Sequence, residues 1–105
     1  MKVSIIVPTL NEELVLENTL THIQQLSPHE LIVSDGGSND YTYRIADRFS
    51  HRVITGSAGR ALQMNVGADE ATGDILLFLH ADSRIEPESY RKMLQCMQNP
   101  KWIGG

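Results

Sequence analysis

The 105-residue chain is long enough for one domain with a modest core, and its 41% hydrophobic and 21% charged residues are typical of a globular protein rather than a disordered or fibrous one. A formal net charge of -4 without a dense Lys/Arg block argues against a nucleic-acid partner. No stretch approaches the roughly 20 apolar residues of a membrane span, no signal-peptide layout is visible, and one cysteine cannot form an internal disulfide. We therefore expect a cytoplasmic protein, either free or peripheral at the inner face of the membrane.

The first strand is predicted from Lys2 to Val7 and ends at Pro8, which cannot donate a ladder hydrogen bond. Residues 9–12, Thr-Leu-Asn-Glu, match the S/T-x-x-E capping box, so a helix is predicted to begin within them. The apolar residues that recur at helical spacing before Ser27-Pro28 are Leu16, Leu20, Ile23 and Leu26.

The second strand is predicted over residues 30–34 and leads into a polar turn, Asp35-Gly36-Gly37-Ser38-Asn39-Asp40. A helix of ~10 residues should follow, because Tyr43, Ile45, Ala46 and Phe49 fit helical spacing. Residues 52–55 predict a brief third strand, and residues 56–59 form a small-residue loop. The composition of residues 60–68 favours a third helix despite Gly67.

The longest apolar run lies within residues 74–83, where five consecutive large apolar residues end in His80-Ala81-Asp82. Because the run shows no polar alternation, it predicts a strand that is covered on both faces, in the centre of a parallel sheet. The last helix is predicted to begin at Pro87 and to bury Cys96 as an inert side chain, before Asn99-Pro100 ends it.

The alternation of four strands and four helices predicts a three-layer α/β/α sandwich with a mostly parallel sheet. Residues 101–105 look like the start of a further strand with nothing after it. We therefore expect an incomplete sheet whose exposed edge and apolar surface favour a homo-oligomer. A monomer in light scattering at high concentration would contradict this expectation.

Three polar clusters follow predicted strand ends, and in a parallel sheet they would meet at one edge, where open α/β sheets bind ligands. Taken singly, each of these residues is better explained as a helix cap, a turn former or a satisfied polar residue than as a ligand-binding residue. The first strand is not followed by G-x-G-x-x-G, which counts against a dinucleotide site, and the sequence contains no P-loop motif. Pro8-Thr9 stand where a phospho-acceptor receiver domain has acidic residues, which counts against that class as well. The clusters are residues 8–12, 35–40 and 80–82.

Four motifs follow one another over nearly the whole chain. They are Val7-Pro8-Thr9-Leu10-Asn11-Glu12, Asp35-Gly36-Gly37-Ser38-Asn39-Asp40, Gly59-Arg60-Ala61-Leu62-Gln63-Met64-Asn65 and Leu79-His80-Ala81-Asp82-Ser83. In these motifs the chain resembles the inverting family-2 glycosyltransferases with the GT-A fold, and the Leu-His-Ala-Asp motif is similar to that of a bacterial subgroup.

The resemblance implies that residues 1–105 are the donor-binding half of a GT-A domain, with the acceptor half outside this chain. The implied reaction transfers a sugar from a nucleoside-diphosphate sugar to an acceptor hydroxyl with inversion. In this picture Asp35 accepts a hydrogen bond from the base, Arg60 lies near the diphosphate, and Asp82 holds Mg²⁺ or Mn²⁺. The implied donor-binding residues are Pro8, Thr9, Asn11, Glu12, Asp35, Gly36, Arg60, Asn65, His80 and Asp82.

Two departures from the family pattern qualify these expectations. His80 replaces the first acid of the Asp-x-Asp motif, so we expect weak metal affinity without nucleotide, because a neutral imidazole adds no negative charge. No residue is nominated as the general base, since the candidate carboxylates read more simply as helix-end or surface charges: Asp40, Asp69, Glu70, Glu86 and Glu88. A catalytically incomplete nucleotide-binding or partner-binding module therefore stays open. A nucleotidyltransferase is expected to have a Gly-rich, basic loop directly after the first strand. Residues 8–12 do not supply one, which counts against that function.

Overall fold

The computed structural model describes residues 2–82 and 85–97, and over these residues strand and helix alternate four times, as predicted. The predictions for Ser83, for residues 99–105 and for the buried side chain of Cys96 lie outside the described part. No helix within the described residues has the length and apolar character to cross a membrane. The elements are β1 (Val3–Thr9), α1 (Leu16–Gln24), β2 (Glu30–Asp35), α2 (Thr42–Phe49), β3 (Arg52–Thr55), α3 (Arg60–Glu70), β4 (Ile75–Phe78) and α4 (Pro87–Met97).

The four strands form one parallel sheet in the order β3-β2-β1-β4. The register places Thr9 opposite Asp35 and Asp35 opposite Thr55, so β1, β2 and β3 end level with one another. The polar segments that follow these strands therefore start from one edge of the sheet. This arrangement confirms the predicted parallel α/β fold.

Helices cover both faces of the sheet. Ile5 and Val7 are fully buried in a core that includes residues of α1, α2 and α4. Ile6 points to the opposite face, where α3 packs against it. The approach is so close that a Cβ on Gly67 would lie 2.5 Å from Ile6 Cγ2. Gly67 therefore allows α3 to approach β1 rather than merely being tolerated in a helix.

The position predicted for β4 is wrong, because β4 lies at an edge of the described sheet and not at its centre. Ile75 and Leu77 pack against the core, whereas Leu76 is 41% exposed and Phe78 is 38% exposed. The cause is that α3 packs over β1 and β2 and leaves much of this face of β4 open. An apolar surface is exposed as expected, and association of copies through it stays a prediction.

The predicted start of the first helix is also wrong, since α1 begins at Leu16 and not within residues 9–12. The hydroxyl of Thr9 donates to the Asp35 carboxylate instead of capping a helix, with an O–O distance of 2.8 Å. Asn11 adopts a left-handed φ of 53°, and its Oδ1 accepts a hydrogen bond from Asn39 N at 2.8 Å. The capping-box residues are therefore used for long-range contacts at the sheet edge.

Candidate functional site

A cleft of about 330 Å³ opens at the carboxyl edge of the sheet, and we call it the strand-end cleft. It is formed by the exit of β1, the start of α3 and the segment after β4. Parallel strands bring these three segments together although they are far apart in sequence. The lining residues are Pro8, Thr9, Leu10, Glu12, Gly59, Arg60, Gln63, His80, Ala81 and Asp82.

The structure thus brings six of the predicted site residues together in the strand-end cleft, and it places the other four elsewhere. Asn11 and Gly36 belong to neighbouring loops that do not line the cleft, and Asp35 is buried beneath it. Asn65 is exposed on α3, beside an apolar depression formed with Met64 and Phe78. The six residues in the cleft are Pro8, Thr9, Glu12, Arg60, His80 and Asp82.

Asp35 is 2% exposed, and both of its carboxylate oxygens are committed to protein donors. Oδ1 accepts from the hydroxyls of Thr9 and Ser38 at 2.8 and 2.6 Å, while Oδ2 accepts from the backbone N–H groups of Gly37 and Ser38 at 3.1 and 2.9 Å. Asp35 therefore holds the turn after β2 against the exit of β1. Its predicted hydrogen bond with a base would need one of these four donors to release it.

Two loops beside the cleft are tied to each other through Asn11. Its backbone N–H donates to Ser38 Oγ at 2.8 Å, and its side chain accepts from Asn39 N. Gly36 is buried, and its N–H donates to the carbonyl oxygen of Thr9 at 2.9 Å. The loop after β1 and the loop after β2 consequently form one hydrogen-bonded unit.

Opposite charges face the strand-end cleft. Asp82 is exposed and forms no hydrogen bond or ion pair with another described residue. Arg60 is exposed at the first position of α3, whose N-cap, Gly59, supplies no side-chain cap. A helix N-terminus and a guanidinium together favour an anion such as phosphate.

The strand-end cleft contains oxygen ligands that suit a divalent cation. Asp82 and Glu12 are the carboxylates that line it, and such oxygen ligands suit Mg²⁺ or Mn²⁺. Within residues 2–82 and 85–97, no three His, Cys, Asp or Glu side chains lie close enough to form a metal cluster. The cleft fits a cation that shares its coordination with ligand phosphates, as Mg²⁺ commonly does.

The carboxylates considered as a general base lie outside the strand-end cleft. Partial desolvation raises the pKa of Asp40, but hydrogen bonds from the side chain and backbone of Thr42 hold that pKa below its ordinary value overall. Glu70 forms an ion pair with Arg52 at 2.6 Å. Asp40 and Glu70 thus fulfil the structural roles expected from the sequence.

Sequence reasoning missed Gln63, whose side chain is 6% exposed at the base of the cleft. Its Nε2 donates to the carbonyl oxygens of Thr9 and Ser34, both at 2.8 Å. The available signal was its spacing, because Gln63 lies four residues before Gly67 and so faces the sheet with it. A polar residue on the sheet-facing side of a helix needs buried partners.

Comparison with known proteins places the chain among sugar-transferring enzymes. The family model described as Glycosyl transferase family 2 matches residues 4–103. Dolichol-phosphate mannosyltransferase of Pyrococcus furiosus is 33% identical over 108 aligned residues, which cover 94% of this chain and 31% of that protein. The chain spans about a third of the length of the curated relatives it matches.

Two solved structures share the fold. Residues 1–349 of TarS from S. aureus, in complex with UDP-GlcNAc, superpose with a TM-score of 0.79 at 25% identity and cover 93% of this chain and 31% of that one. Glucosyl-3-phosphoglycerate synthase from Mycobacterium tuberculosis, in complex with Mn²⁺, UDP and glucosyl-3-phosphoglycerate, gives a TM-score of 0.63 at 29% identity. That match covers 79% of this chain and 35% of the synthase.

Proposed function

Since this chain belongs to glycosyl transferase family 2, we propose that its strand-end cleft binds a nucleoside-diphosphate sugar, from which the sugar passes to an acceptor hydroxyl with inversion. The observation that carries the proposal is the meeting of Arg60, Asp82 and the exit of β1 in one cleft. The TarS and glucosyl-3-phosphoglycerate synthase complexes contain UDP-GlcNAc and UDP, which supports a uridine nucleotide as the first ligand to test.

The residues of the cleft have distinct roles in this proposal. Arg60 and the N-terminus of α3 would hold the diphosphate oxygens, and Asp82 would hold a divalent cation. The cation would neutralise the charge that develops on the departing nucleoside diphosphate. Because His80 adds no negative charge when it is neutral, metal affinity depends on the bound nucleotide.

The loop contacts support roles for the remaining predicted residues. Pro8, Thr9 and Glu12 border the nucleoside from the exit of β1, and Asn11 supports them by tying this loop to the loop after β2. Asp35 and Gly36 shape the floor of the nucleoside region, where Asp35 reads the base only if a donor such as Ser38 turns away.

The acceptor side of the reaction lies outside the strand-end cleft in this proposal. The carboxylates that line the cleft are Glu12 and Asp82, and Asp82 is assigned to the cation. Because the relatives are about three times longer, we assign residues 1–105 to donor binding and the acceptor region and base to a further part of the protein. A cytoplasmic location is part of the same proposal and rests on composition.

Calorimetry of UDP binding tests the proposal directly. The wild-type chain should bind UDP more tightly with Mn²⁺ than without it, and should bind Mn²⁺ alone only weakly. Asp82→Asn should reduce the Mn²⁺-dependent gain at least about tenfold, because the substitution removes an anionic metal ligand. Asp69→Asn is the matched control, since Asp69 is exposed at the far end of α3.

Three results would contradict parts of this assignment. The absence of UDP binding would overturn the donor site, equal metal dependence in Asp82→Asn and wild type would overturn the cation role, and tight Mn²⁺ binding without nucleotide would overturn the role of His80. The second candidate function is a nucleotide-binding or partner-binding module that does not catalyse transfer, because the chain spans about a third of the length of its relatives. UDP binding without UDP-sugar hydrolysis by this chain would favour that candidate.

A further inference from the structure

Gln63 joins three segments that meet at the carboxyl edge of the sheet. Its Nε2 donates to Thr9 O at the end of β1 and to Ser34 O near the end of β2, each at 2.8 Å. Its Oε1 accepts a hydrogen bond from the backbone N–H of Gly59 at 3.0 Å. One buried amide thus satisfies groups on two strands and on the loop that opens α3.

The surrounding backbone is shaped to this amide. A Cβ on Gly36 would lie 2.8 Å from Gln63 Oε1 and 3.0 Å from Ala58 Cα, so only a glycine leaves room for the side chain. Gly59 has a φ of +145°, in the region that favours glycine, and its carbonyl accepts the first helical bond from Gln63 N at 2.8 Å. Both the backbone and the side chain of Gln63 are therefore hydrogen-bonded to the backbone of Gly59.

The chemistry of an amide is required at this position. The amide of Gln63 faces two carbonyl oxygens, of Thr9 and Ser34, on one side and the N–H of Gly59 on the other, and the residue is only 6% exposed. Glutamine supplies both kinds of group without a charge. A carboxylate would turn an acceptor towards two acceptors, and an aliphatic side chain would leave three buried polar groups without Gln63 as their partner.

We propose that Gln63 is a positioning residue, which sets the spacing between the exit of β1 and the N-terminus of α3 and so preforms the cleft for nucleotide. The identity of the ligand as a nucleotide rests on the proposed function, whereas the role of Gln63 in setting the spacing does not. The spacing matters because Thr9 at the exit of β1 and Gly59 and Arg60 at the start of α3 all line the strand-end cleft. A fixed distance between them lets the base side and the phosphate side of a ligand be held at the same time.

The test uses Gln63→Glu, Gln63→Leu and the control Gln95→Glu, which makes the same charge change on the exposed surface of α4. Calorimetry with UDP and Mn²⁺ is run from pH 8 to pH 5.5, and amide hydrogen exchange is measured without nucleotide at Gly36 and Gly59. Affinities and protection factors are compared with the wild type at each pH, which cancels the titration of UDP itself.

Gln63→Glu should bind UDP about tenfold more weakly than wild type at pH 8, because both donor bonds to the strand carbonyls are lost. Burial beside carbonyl groups raises the pKa of the introduced carboxyl, so its protonated form regains one donor as pH falls. The deficit should therefore shrink to about threefold or less at pH 5.5. Gln63→Leu should bind UDP more weakly than wild type at every pH, and Gln95→Glu should bind it as tightly as wild type throughout.

Hydrogen exchange separates this inference from the proposed function. Gln63→Leu should lose protection at Gly59, and Gln63→Glu should lose protection at Gly36 at pH 8 and regain it at low pH. Unchanged protection at both amides would overturn the positioning role even if UDP binds. If the wild type binds no UDP, the donor-site proposal fails and the exchange result still decides whether Gln63 fixes this edge. Should Gln63→Leu fail to fold, the pH series of Gln63→Glu decides alone.

Discussion

Strand β2 begins and ends with a carboxylate, and the two ends of the sheet use these groups in similar ways. At the amino end, Glu30 Oε1 accepts from Ser4 Oγ at 2.7 Å and from Thr72 N at 2.5 Å. At the carboxyl end, Asp35 accepts from four donors, among them Thr9 Oγ1 and Ser38 N. Each acid ties β2 to β1. Glu30 also holds Thr72, which is distant in sequence, whereas Asp35 also holds the turn that directly follows β2.

The ends differ in what lies beside the tied strands. The carboxyl end carries the strand-end cleft, whose lining includes Arg60 and Asp82. An acidic residue at a sheet edge is therefore not by itself a functional residue. What separates the stabilising acids from the candidate ligand-binding acid is whether protein donors already occupy the carboxylate.

Replacement of Asp35 should have the largest effect on stability. Asp35→Ala leaves four hydrogen-bond donors without their acceptor at a buried site, so we expect a loss of about 3 kcal/mol in the free energy of unfolding. Denaturation with urea measures the change. The control is Asp47→Ala on the exposed side of α2, which should stay within about 0.5 kcal/mol of wild type. An equally small loss in Asp35→Ala would remove the distinction between occupied and unoccupied acids.

Two glycines sharpen the comparison of the ends. A Cβ on Gly73 would meet fixed backbone atoms, Lys2 O at 2.8 Å and Ser4 N at 2.9 Å, so Gly73→Ala should cost about 2 kcal/mol without changing UDP affinity. At the other end, Gly36→Ala presses mainly on the Gln63 side chain, so we expect about 1 kcal/mol with weaker UDP binding.

Urea denaturation and UDP calorimetry on both variants separate the two effects. Gly56→Ala serves as the control, since no heavy atom lies within 4 Å of the added Cβ and the expected change is within about 0.5 kcal/mol. Weaker UDP binding in Gly73→Ala, or unchanged binding in Gly36→Ala, would mean that the two ends do not divide stability and ligand binding in this way.

The pH dependence of Glu30→Gln should show the smallest effect. Burial raises the pKa of Glu30, but the hydrogen bonds from Ser4 and Thr72 hold it below the ordinary 4.5 overall. The stabilisation is thus present above pH 4.5 and is lost as the pH falls through the lower folded-state pKa. We expect Glu30→Gln to be less stable than wild type by about 1 kcal/mol at pH 7.

Thermal unfolding from pH 7 down to pH 3 measures this difference, which should shrink below pH 4.5. Asp47→Asn, which removes an exposed charge without hydrogen-bond partners among the described residues, should show no such convergence. A gap between wild type and Glu30→Gln that stays constant with pH would show that the carboxylate is not held by these hydrogen bonds.

The sequence predicted the order of the elements and the convergence of their polar ends, because both follow from local apolar patterns and from parallel topology. It failed where a local pattern competes with a distant partner. Thr9 fits a helix cap, but its hydroxyl is taken by Asp35, which lies 26 residues further along the chain. The apolar run of β4 suggested burial on both faces, yet the burial of β4 depends on where α3 packs. Gly67 packs against Ile6 of β1, so α3 covers β1 and β2 and leaves one face of β4 largely exposed.

The candidate site shows the same division. The positions of Arg60 and Asp82 in the strand-end cleft agree with the motif order, since Arg60 begins α3 and Asp82 lies in the segment that follows β4. The role of Gln63 could not be derived from sequence because its partners are main-chain carbonyls, which are present at every residue. Only the fold selects which carbonyls a buried amide meets.

The place of β1 in the sheet has a consequence for how the protein is made. β1 is synthesised before the other three described strands, yet one of its neighbours, β4, begins opposite Val3 only at Ile75, 72 residues later. At a synthesis rate of about 5–20 residues per second, that edge of β1 waits roughly 4–14 s for its partner. An inner strand of the described sheet is thus made before β4 and enclosed late, and during this interval its backbone N–H and C=O groups on that edge are open to other pairing.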